Sequence, residues 1–545
     1  MATAIQSVDG GHLTTKDQGG GARRVAAWAP YVIALVFALS ALRGVRHTDI
    51  IDADANRHAM NGVFIYDLVR TGHLRHLIAY GKEYYAHFPV LSLPYHPPVF
   101  PAIESLFFAA FGVNLLAARL AVAVAVGVCA VLLYRLIQVT LVSQVLAACV
   151  TVTMLSLWSA QESARDVMLE FPALAFTLAA LYCLRDIDRT YPLGRAMCFA
   201  AFAAAAVWTK QPAVFLGAVP VIWAVLNRRW RLLLGRSIWI SSLALGAAVV
   251  VLISLSAPFN YTGVNKAVSP TAMHSILVHA VPQYAVKIVA GVQGLPAILA
   301  CCAIASYAWA VYKRGWQKLG LSFYFAWILS LSTVLLFLKV VDERYLFSLY
   351  PAVIAVMYVL LFRGCAYLWG EARAWYVPAA FAAVWLVVGL LSPVIFLRGP
   401  GEVAALLAQR TPARILYIGR TFAPFSFALR SLDPRMDVVV IPAGKLPPST
   451  FEPKALEEFC RRFGINWIVV EQAQGMYPAR LRWTAYLKNP PAESTELVRS
   501  IPLESDQELR RGNLYVYRFT APSAHPDGVL ALPVPKIGGD IEVMP

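Results

Sequence analysis

Residues 116–138 read LAARLAVAVAVGVCAVLLYRLIQ, a run in which Arg119 and Arg135 are the only charged residues. A helix needs about 20 predominantly apolar residues to cross the hydrocarbon core of a bilayer, so this stretch predicts a transmembrane helix. Similar apolar stretches recur on both sides of it. They cover residues 26–42, 144–163, 171–185, 196–209, 212–227, 237–257, 293–312, 320–338, 345–362 and 375–397. The sequence therefore predicts a mainly α, polytopic membrane protein with about 11 transmembrane helices.

The composition points to the same class of protein. Of the 545 residues, 59% are hydrophobic and 14% are charged, whereas a soluble domain carries roughly a quarter charged residues. This balance excludes an ordinary water-soluble enzyme. The net charge of +16 falls largely in short clusters between the apolar stretches, which is typical of a topology signal and not of nucleic-acid binding. The eight cysteines show neither a disulfide framework nor a zinc spacing.

The cationic clusters predict how the chain is oriented. Residues 1–25 are polar and include Arg23 and Arg24 directly before the first apolar stretch, so we expect a cytoplasmic tail and an uncleaved signal-anchor helix. The later cluster Arg228–Arg231 then also lies on the cytoplasmic side, as the positive-inside rule requires. Residues 45–114, residues 258–292 and the chain after the membrane module of residues 26–397 are expected on the outer face.

A different pattern begins after residue 397. Short β-branched runs alternate there with helix-like segments, which predicts an extracytoplasmic α/β domain over residues 398–525. The expected strands lie at residues 414–419, 437–441, 467–470 and 514–517, and the expected helices at residues 422–432 and 453–463. Because this region has no glycine-rich phosphate loop and no nucleophile elbow, we expect it to be supportive or acceptor-binding rather than catalytic. Residues 526–545 are Pro-rich with little periodicity and predict a flexible tail.

Acidic and basic residues collect at the predicted outer ends of the apolar stretches. The acids are Asp52, Asp54, Asp166, Glu170 and Glu343, and the bases are Lys82, Arg165, Lys210 and Arg344. Charges at this depth are costly and mark a site by default. Lys and Arg neutralise a phosphate, while Asp orients a hydroxyl or abstracts its proton. The set predicts a site for an anionic lipid head group beside a carboxylate, although an ordinary interfacial charge is the competing interpretation for any single member.

Six short motifs then occur in the order found in a known family. They are Asp54-Ala55-Asn56-Arg57-His58-Ala59 followed by Asp67 through Gly72, Tyr95-His96-Pro97-Pro98-Val99 through Gly112, Ala118-Arg119-Leu120, Arg165 through Pro172, Thr209-Lys210-Gln211-Pro212, and Glu343-Arg344-Tyr345. To about residue 360 the chain resembles the GT-C membrane glycosyltransferases, specifically the dolichyl-phosphate-mannose protein mannosyltransferase and aminoarabinose transferase branch. It departs from the family pattern at Ala55, where Glu is usual, at Glu170, where Asp is commoner, and at Gln211, where Gly is commoner.

This resemblance implies an enzyme of the cytoplasmic (inner) membrane that transfers one sugar from a polyprenyl-phosphate donor to an acceptor on the outer face. The implied reaction is a single displacement with inversion at the anomeric carbon. The acceptor class stays open between a lipid, a polysaccharide and a protein, and the expected partners are these substrates and membrane lipids. No cofactor is implied beyond the lipid-linked donor, and no nucleic acid.

The resemblance also assigns roles to particular residues. Asp54 would accept the proton of the acceptor hydroxyl, with Asp52, Asp166, Glu170 and Glu343 as candidate acidic partners. The donor phosphate would be bound by Lys82, Arg165, Lys210 and Arg344, and further substrate contacts would come from Arg57, Tyr84, Tyr85, His96 and Tyr345. The lipid tail would lie near Tyr261 and Tyr284 in the second outer segment.

Alternatives exist for several of these features. His73 and His76 could share a helical face as metal ligands, but interfacial histidines are the favoured interpretation and no metal is expected. Tyr84 and Tyr85 either stack on a sugar or belong to an interfacial aromatic belt. A polyprenyl-lipid or sugar transporter is the competing function. Transporters commonly contain internal repeats and midplane charges, whereas no convincing repeat is visible in this sequence.

Overall fold

The computed structural model describes residues 20–93, 95–185, 187, 191–257, 295–314, 320–336, 342–473, 494–522, 528–534 and 539–543. The predicted second outer segment, including Tyr261 and Tyr284, lies outside these residues, as does most of the predicted cytoplasmic tail. The side chain of Glu343 is likewise not described.

The predicted first outer segment, residues 45–114, is helical. It follows the apolar helix α1 (Gly20–Ala41) and contains α2 (Ala53–Arg70), α3 (Leu77–His87) and α4 (Val99–Phe111). The carboxylate of Asp52 caps the start of α2 by accepting the Asp54 N–H at 2.6 Å. Gly72, with φ of +74°, adopts the left-handed conformation that ends the same helix.

The other apolar helices follow the predicted stretches. They are α5 (Leu115–Leu141), α6 (Gln144–Ser156), α7 (Trp158–Ala164), α8 (Glu170–Leu184), α9 (Leu193–Val207), α10 (Val219–Leu226), α11 (Arg236–Ser256), α12 (Leu295–Arg314), α13 (Ser322–Leu336), α14 (Tyr350–Trp369) and α15 (Tyr376–Leu391). Among the described residues, four helices (α1, α5, α11 and α14) are long and apolar enough to cross a membrane, and α6 with α7, bent by 68°, makes a fifth candidate. Helices occupy every predicted stretch, but the predicted count of eleven crossings is not confirmed.

The C-terminal region contains a six-stranded sheet in the order β1-β5-β6-β4-β2-β3. Its strands are β1 (Leu397–Arg398), β2 (Ala413–Ile418), β3 (Val438–Pro442), β4 (Trp467–Ala473), β5 (Thr495–Ser505) and β6 (Gly512–Phe519), and its helices are α16 (Pro400–Ala408), α17 (Phe422–Leu432) and α18 (Pro453–Arg462). β2 is parallel to β3 and β4, whereas β6 runs antiparallel to β4 and β5. The four predicted strands correspond to β2, β3, β4 and β6, and the two predicted helices correspond to α17 and α18. β1, β5 and α16 were not predicted.

The expected flexible tail is partly a hairpin. Its strands β7 (Leu530–Val534) and β8 (Gly539–Val543) pair antiparallel, with Leu532 opposite Ile541. Both of these side chains are buried in a core cluster shared with the sheet domain. The prediction of a loose tail is wrong for these residues because alternate apolar side chains give each short strand a buried face.

The sheet domain packs directly on helices α3 and α4. The rings of Phe108 on α4 and Phe427 on α17 lie 6.5 Å apart. Tyr85 on α3 belongs to the same buried cluster as Leu416 and Ile441 of the sheet. Helices α2 to α4 thus lie between the C-terminal domain and the apolar helices, and this packing fixes where the side chains of α2 lie.

Candidate active site

The first turn of α2 places Asp54 between two guanidinium groups. Arg57, one turn later on α2, donates from Nη1 to Asp54 Oδ1 at 2.6 Å. Arg344 donates from Nη1 to Asp54 Oδ2 at 3.2 Å. Asp342 Oδ2 holds the same guanidinium group by accepting from Nη2 at 3.0 Å and from Nε at 3.1 Å. The Asp54 side chain is 29% exposed, so the carboxylate is both ion-paired and accessible.

These neighbours determine the protonation state of Asp54. Burial alone would raise its pKa, but the guanidinium groups of Arg57 and Arg344, with a smaller effect from His96, hold the pKa below the ordinary value of 3.8. Burial would lower the pKa of Arg344, but its bonds to Asp342 raise it instead. Asp54 is therefore a carboxylate at neutral pH, and Arg344 is a permanent cation.

A second ion pair lies on the other side of Arg344. Lys210 Nζ is 2.6 Å from Glu170 Oε1 at the start of α8 and 3.5 Å from the backbone oxygen of Arg344. The same ammonium group lies 5.5 Å from the ring centroid of Tyr345. A narrow cleft here is lined by charged and apolar side chains together, namely Glu170, Lys210, Arg344, Phe215, Leu331 and Phe347. Such a lining suits a ligand with an anionic head and an apolar tail.

Asp166 fixes the start of α2 through a hydrogen bond to the backbone just before that helix. Its carboxylate accepts the backbone N–H of Asp52 and of Val167, each at 2.9 Å. Burial raises the pKa of Asp166 to about 6, although Arg119 and these two N–H groups partly oppose that rise. Asp166 and Asp52 therefore position the helix that carries Asp54.

Comparisons with known proteins agree with this architecture. Residues 95–256, which contain four of the six motifs, match the family model of dolichyl-phosphate-mannose-protein mannosyltransferase. The crystal structure of ArnT from Cupriavidus metallidurans bound to undecaprenyl phosphate is similar over 94% of this chain and 100% of that chain, with a TM-score of 0.57 and 16% identity. The chain has the fold of the GT-C glycosyltransferases. The resemblance predicted from the sequence motifs is thereby confirmed.

A second ArnT structure, in the apo state, gives a similar result. It is 14% identical with a TM-score of 0.55, and the match covers 91% of this chain and 98% of that chain. A search of curated protein sequences finds no significant match.

Most of the charged residues in the GT-C motifs lie close to Arg344. Four other predicted site residues have different surroundings. Arg165 is buried and donates to the backbone oxygens of Ser392 and Pro393, at 3.2 Å and 2.9 Å, and to Gln161, so it ties helices together instead of facing the cleft. Lys82 lies on the exposed face of α3. Neither cation lines the cleft beside Arg344, and the phosphate-binding role expected of each stays a prediction.

Tyr84 and Tyr85 also do not line that cleft. Tyr84 is fully buried and donates its hydroxyl to Asp67 Oδ2 at 3.2 Å, thirteen residues or about 20 Å along α2 from Asp54. Tyr85 is buried against the sheet domain, where it contacts Lys445. Both rings take part in the packing of the C-terminal domain on α3, and their predicted substrate contact stays a prediction.

Two residues near Asp54 were not among the predicted site residues. Asp342 holds Arg344, and its only sequence signal is that it directly precedes the Glu343-Arg344-Tyr345 motif. His58 is buried one turn after Asp54, and its ring meets that of His96 edge-on with centroids 4.6 Å apart. Burial, with the cations around it, holds the pKa of His58 well below 6.5, so this ring is neutral.

His73, which was considered with His76 as a metal ligand, has other contacts. His73 Nδ1 lies 2.7 Å from Thr71 Oγ1, and the ring stacks on Tyr80. Within the part of the chain that the structure describes, no group of three or more His, Cys, Asp or Glu side chains could hold a metal ion.

Proposed function

We propose that this chain is an integral membrane glycosyltransferase that transfers a sugar from a polyprenyl-phosphate donor to an acceptor on the outer face of the cytoplasmic membrane. The observation that carries the proposal is that two ion pairs from four separate segments, Asp54–Arg344 and Glu170–Lys210, meet at Arg344 beside a cleft that Glu170, Lys210 and Arg344 line. The similar ArnT structure contains undecaprenyl phosphate, which supports a lipid-linked donor.

The donor end of the cleft is the Lys210 side. Lys210 and Arg344 would bind the donor phosphate, and the apolar side chains of Phe215 and Leu331 would face the start of the lipid. As the bond between the anomeric carbon and the phosphate oxygen breaks, negative charge develops on the phosphate. Fixed cations stabilise such developing charge strongly in a site from which water is partly excluded. Glu170 keeps Lys210 in place through its 2.6 Å ion pair.

The acceptor would bind on the Asp54 side of Arg344. The hydroxyl oxygen of the acceptor would attack the anomeric carbon from the face opposite the phosphate, and its proton would pass to Asp54. Arg57 and Arg344 keep this carboxylate ionised, so it is ready to accept the proton at neutral pH. The products are the glycosylated acceptor, with inverted anomeric configuration, and free polyprenyl phosphate.

The test is sugar transfer from a radiolabelled panel of polyprenyl-phosphate sugars into membrane extracts. We expect wild type to use one donor, and Asp54→Asn at matched expression to lose about 100-fold or more of the rate, the usual contribution of a positioned general base. Glu504→Gln is the control because that carboxylate is 55% exposed in the sheet domain. Equal transfer by wild type and Asp54→Asn would refute the role of Asp54. Lipid movement without transfer by either protein would favour a transporter.

A further inference from the structure

A buried ion pair joins α2 to the C-terminal domain. Arg430 on α17 places Nη2 at 2.6 Å and 2.5 Å from the two carboxylate oxygens of Asp67 and Nε at 3.1 Å from Oδ2. The two side chains are only 2% and 1% exposed. Tyr84 adds a hydrogen bond to Asp67, and Arg430 also donates to the backbone oxygen of Asp433 at 3.2 Å. The last turns of α2 are thus fixed to α17.

The same domain also holds the chain just before α2. The N–H of Gly401, in α16, donates to Asp49 Oδ2 at 2.9 Å. Arg510 donates to the backbone oxygen of Ile51 at 3.0 Å, and the N–H of Leu397 donates to Thr48 Oγ1 at 2.9 Å. Both ends of the 18-residue helix, which is about 27 Å long, are therefore attached to the C-terminal domain.

The two halves of the proposed site lie on different parts of the molecule. Asp54 and Arg57 lie on α2, whereas Lys210 follows α9 and Arg344 precedes α14. The hydrogen bond that joins these halves, from Arg344 to Asp54, is 3.2 Å long, near the upper end of the normal range. A shift of α2 by about 1 Å would break it, and misplacement on this scale can cost a large factor in rate.

We propose that Asp67 and Arg430 are positioning residues through which the C-terminal domain sets Asp54 against Arg344. This inference rests on the proposed function. A bidentate guanidinium–carboxylate pair fixes the distance and the rotation of α2 together, which apolar contacts do not. Asp67 lies in the part of the first motif, Asp67 through Gly72, for which the proposed reaction needs no other role.

The test compares Arg430→Met, Arg430→Lys and the double variant Asp67→Leu/Arg430→Met. We expect Arg430→Met to lower kcat about 10- to 100-fold per folded molecule, with the donor KM changed less than about threefold. In the pH profile of this variant, the fall of kcat on the acid side should move to higher pH, because Asp54 has a higher pKa when it is separated from Arg344. Arg430→Lys should recover part of kcat, because lysine keeps the positive charge but cannot form the bidentate pair with Asp67.

The double variant separates positioning from stability. It leaves no unpaired charge in the interior, so it should fold even where Arg430→Met does not. Positioning predicts that its kcat stays low and its acid limb stays shifted, whereas a merely structural pair predicts that both return to wild type. Arg461→Met is the matched control, since its ion pair with Glu457 is half exposed on the same domain.

The outcomes also separate this inference from the proposed function. An active wild type with an unchanged kcat and pH profile in Arg430→Met and in the double variant would overturn the positioning role. A wild type that transfers no sugar would refute the proposed function instead. Amide hydrogen exchange of residues 53–70 would then decide the positioning role, because faster exchange is expected in the double variant than in Arg461→Met, and equal exchange would contradict it.

Discussion

At the scale of single residues, the site depends on how one carboxylate is kept charged and reachable. Asp54 accepts hydrogen bonds from Arg57 and Arg344, yet its side chain stays 29% exposed. A carboxylate with two cationic neighbours is a weaker base than a free one, so its proton acceptance must depend on geometry more than on basicity. In the proposed reaction Arg344 would therefore have two roles, binding the donor phosphate and keeping Asp54 ionised.

Replacing Arg344 tests this electrostatic coupling. The pKa of Asp54 is lowered in the folded protein, so the active ionised form is lost as pH falls through that pKa. In Arg344→Met the lowering is reduced, and we expect the acid limb of kcat/KM to move to higher pH while kcat falls about 100-fold at neutral pH. Arg398→Met, in an exposed pair with Glu504, is the control. A lower rate with an unmoved acid limb would contradict the coupling.

Six of the charged residues predicted for the site share one property in the sequence. Asp52, Asp54, Asp166, Glu170, Lys210 and Arg344 all follow or precede an apolar helix at the same predicted level, and the structure brings them together. Arg165 has the same position in the sequence but points into the helix bundle. The pattern of apolar stretches predicts the depth of a residue in the membrane. The direction of its side chain in a short non-helical turn depends on tertiary packing, which the pattern does not show.

At the scale of elements, α2 is the central helix of the site and packs closely on α4. A Cβ atom built on Gly62 would lie 2.5 Å from Oε2 of Glu104, whose side chain is fully buried and without a hydrogen-bond partner among the described residues. The absence of a side chain at Gly62 thus permits the close approach of the two helices.

Gly62→Ala tests this packing. We expect it to destabilise the protein by about 1–3 kcal/mol, the typical cost of overpacking, and to lower the thermal midpoint in detergent. Gly81→Ala is a matched control on α3, because its added Cβ would meet only Phe64 at 3.8 Å. That change should be neutral or stabilising. An equal midpoint for Gly62→Ala and Gly81→Ala would show that the Glu104 side chain or the two helices adjust at no cost, which would contradict the packing role of Gly62.

The strands of the C-terminal domain show where element prediction succeeds. β2, β3, β4 and β6 are short β-branched runs between turn residues, and they were predicted within a few residues. β5 carries mostly exposed side chains over its first half and lacks such a run. The hairpin of β7 and β8 was missed because Pro533 and the short strands suppress the periodic signal, although Leu532 and Ile541 complete a buried face.

At the scale of the whole molecule, the protein is a membrane helix bundle in which a sheet domain holds helices α2 to α4. The sequence predicted the two parts, but not that Asp67 and Arg430, 363 residues apart, would join them. Such a contact has no local signature, because neither residue is unusual for its own helix. The same reason explains why Tyr84 and Tyr85 were predicted as sugar contacts although they pack between the domains.

The most direct measurement is the stoichiometry of transfer by the purified protein in proteoliposomes. With a polyprenyl-phosphate sugar and an acceptor, we expect one polyprenyl phosphate to be released for each glycosylated acceptor. We also expect Asp54→Asn to lose both products together. Lipid crossing the bilayer with its sugar still attached, or product formation unaffected by Asp54→Asn, would contradict the central claim.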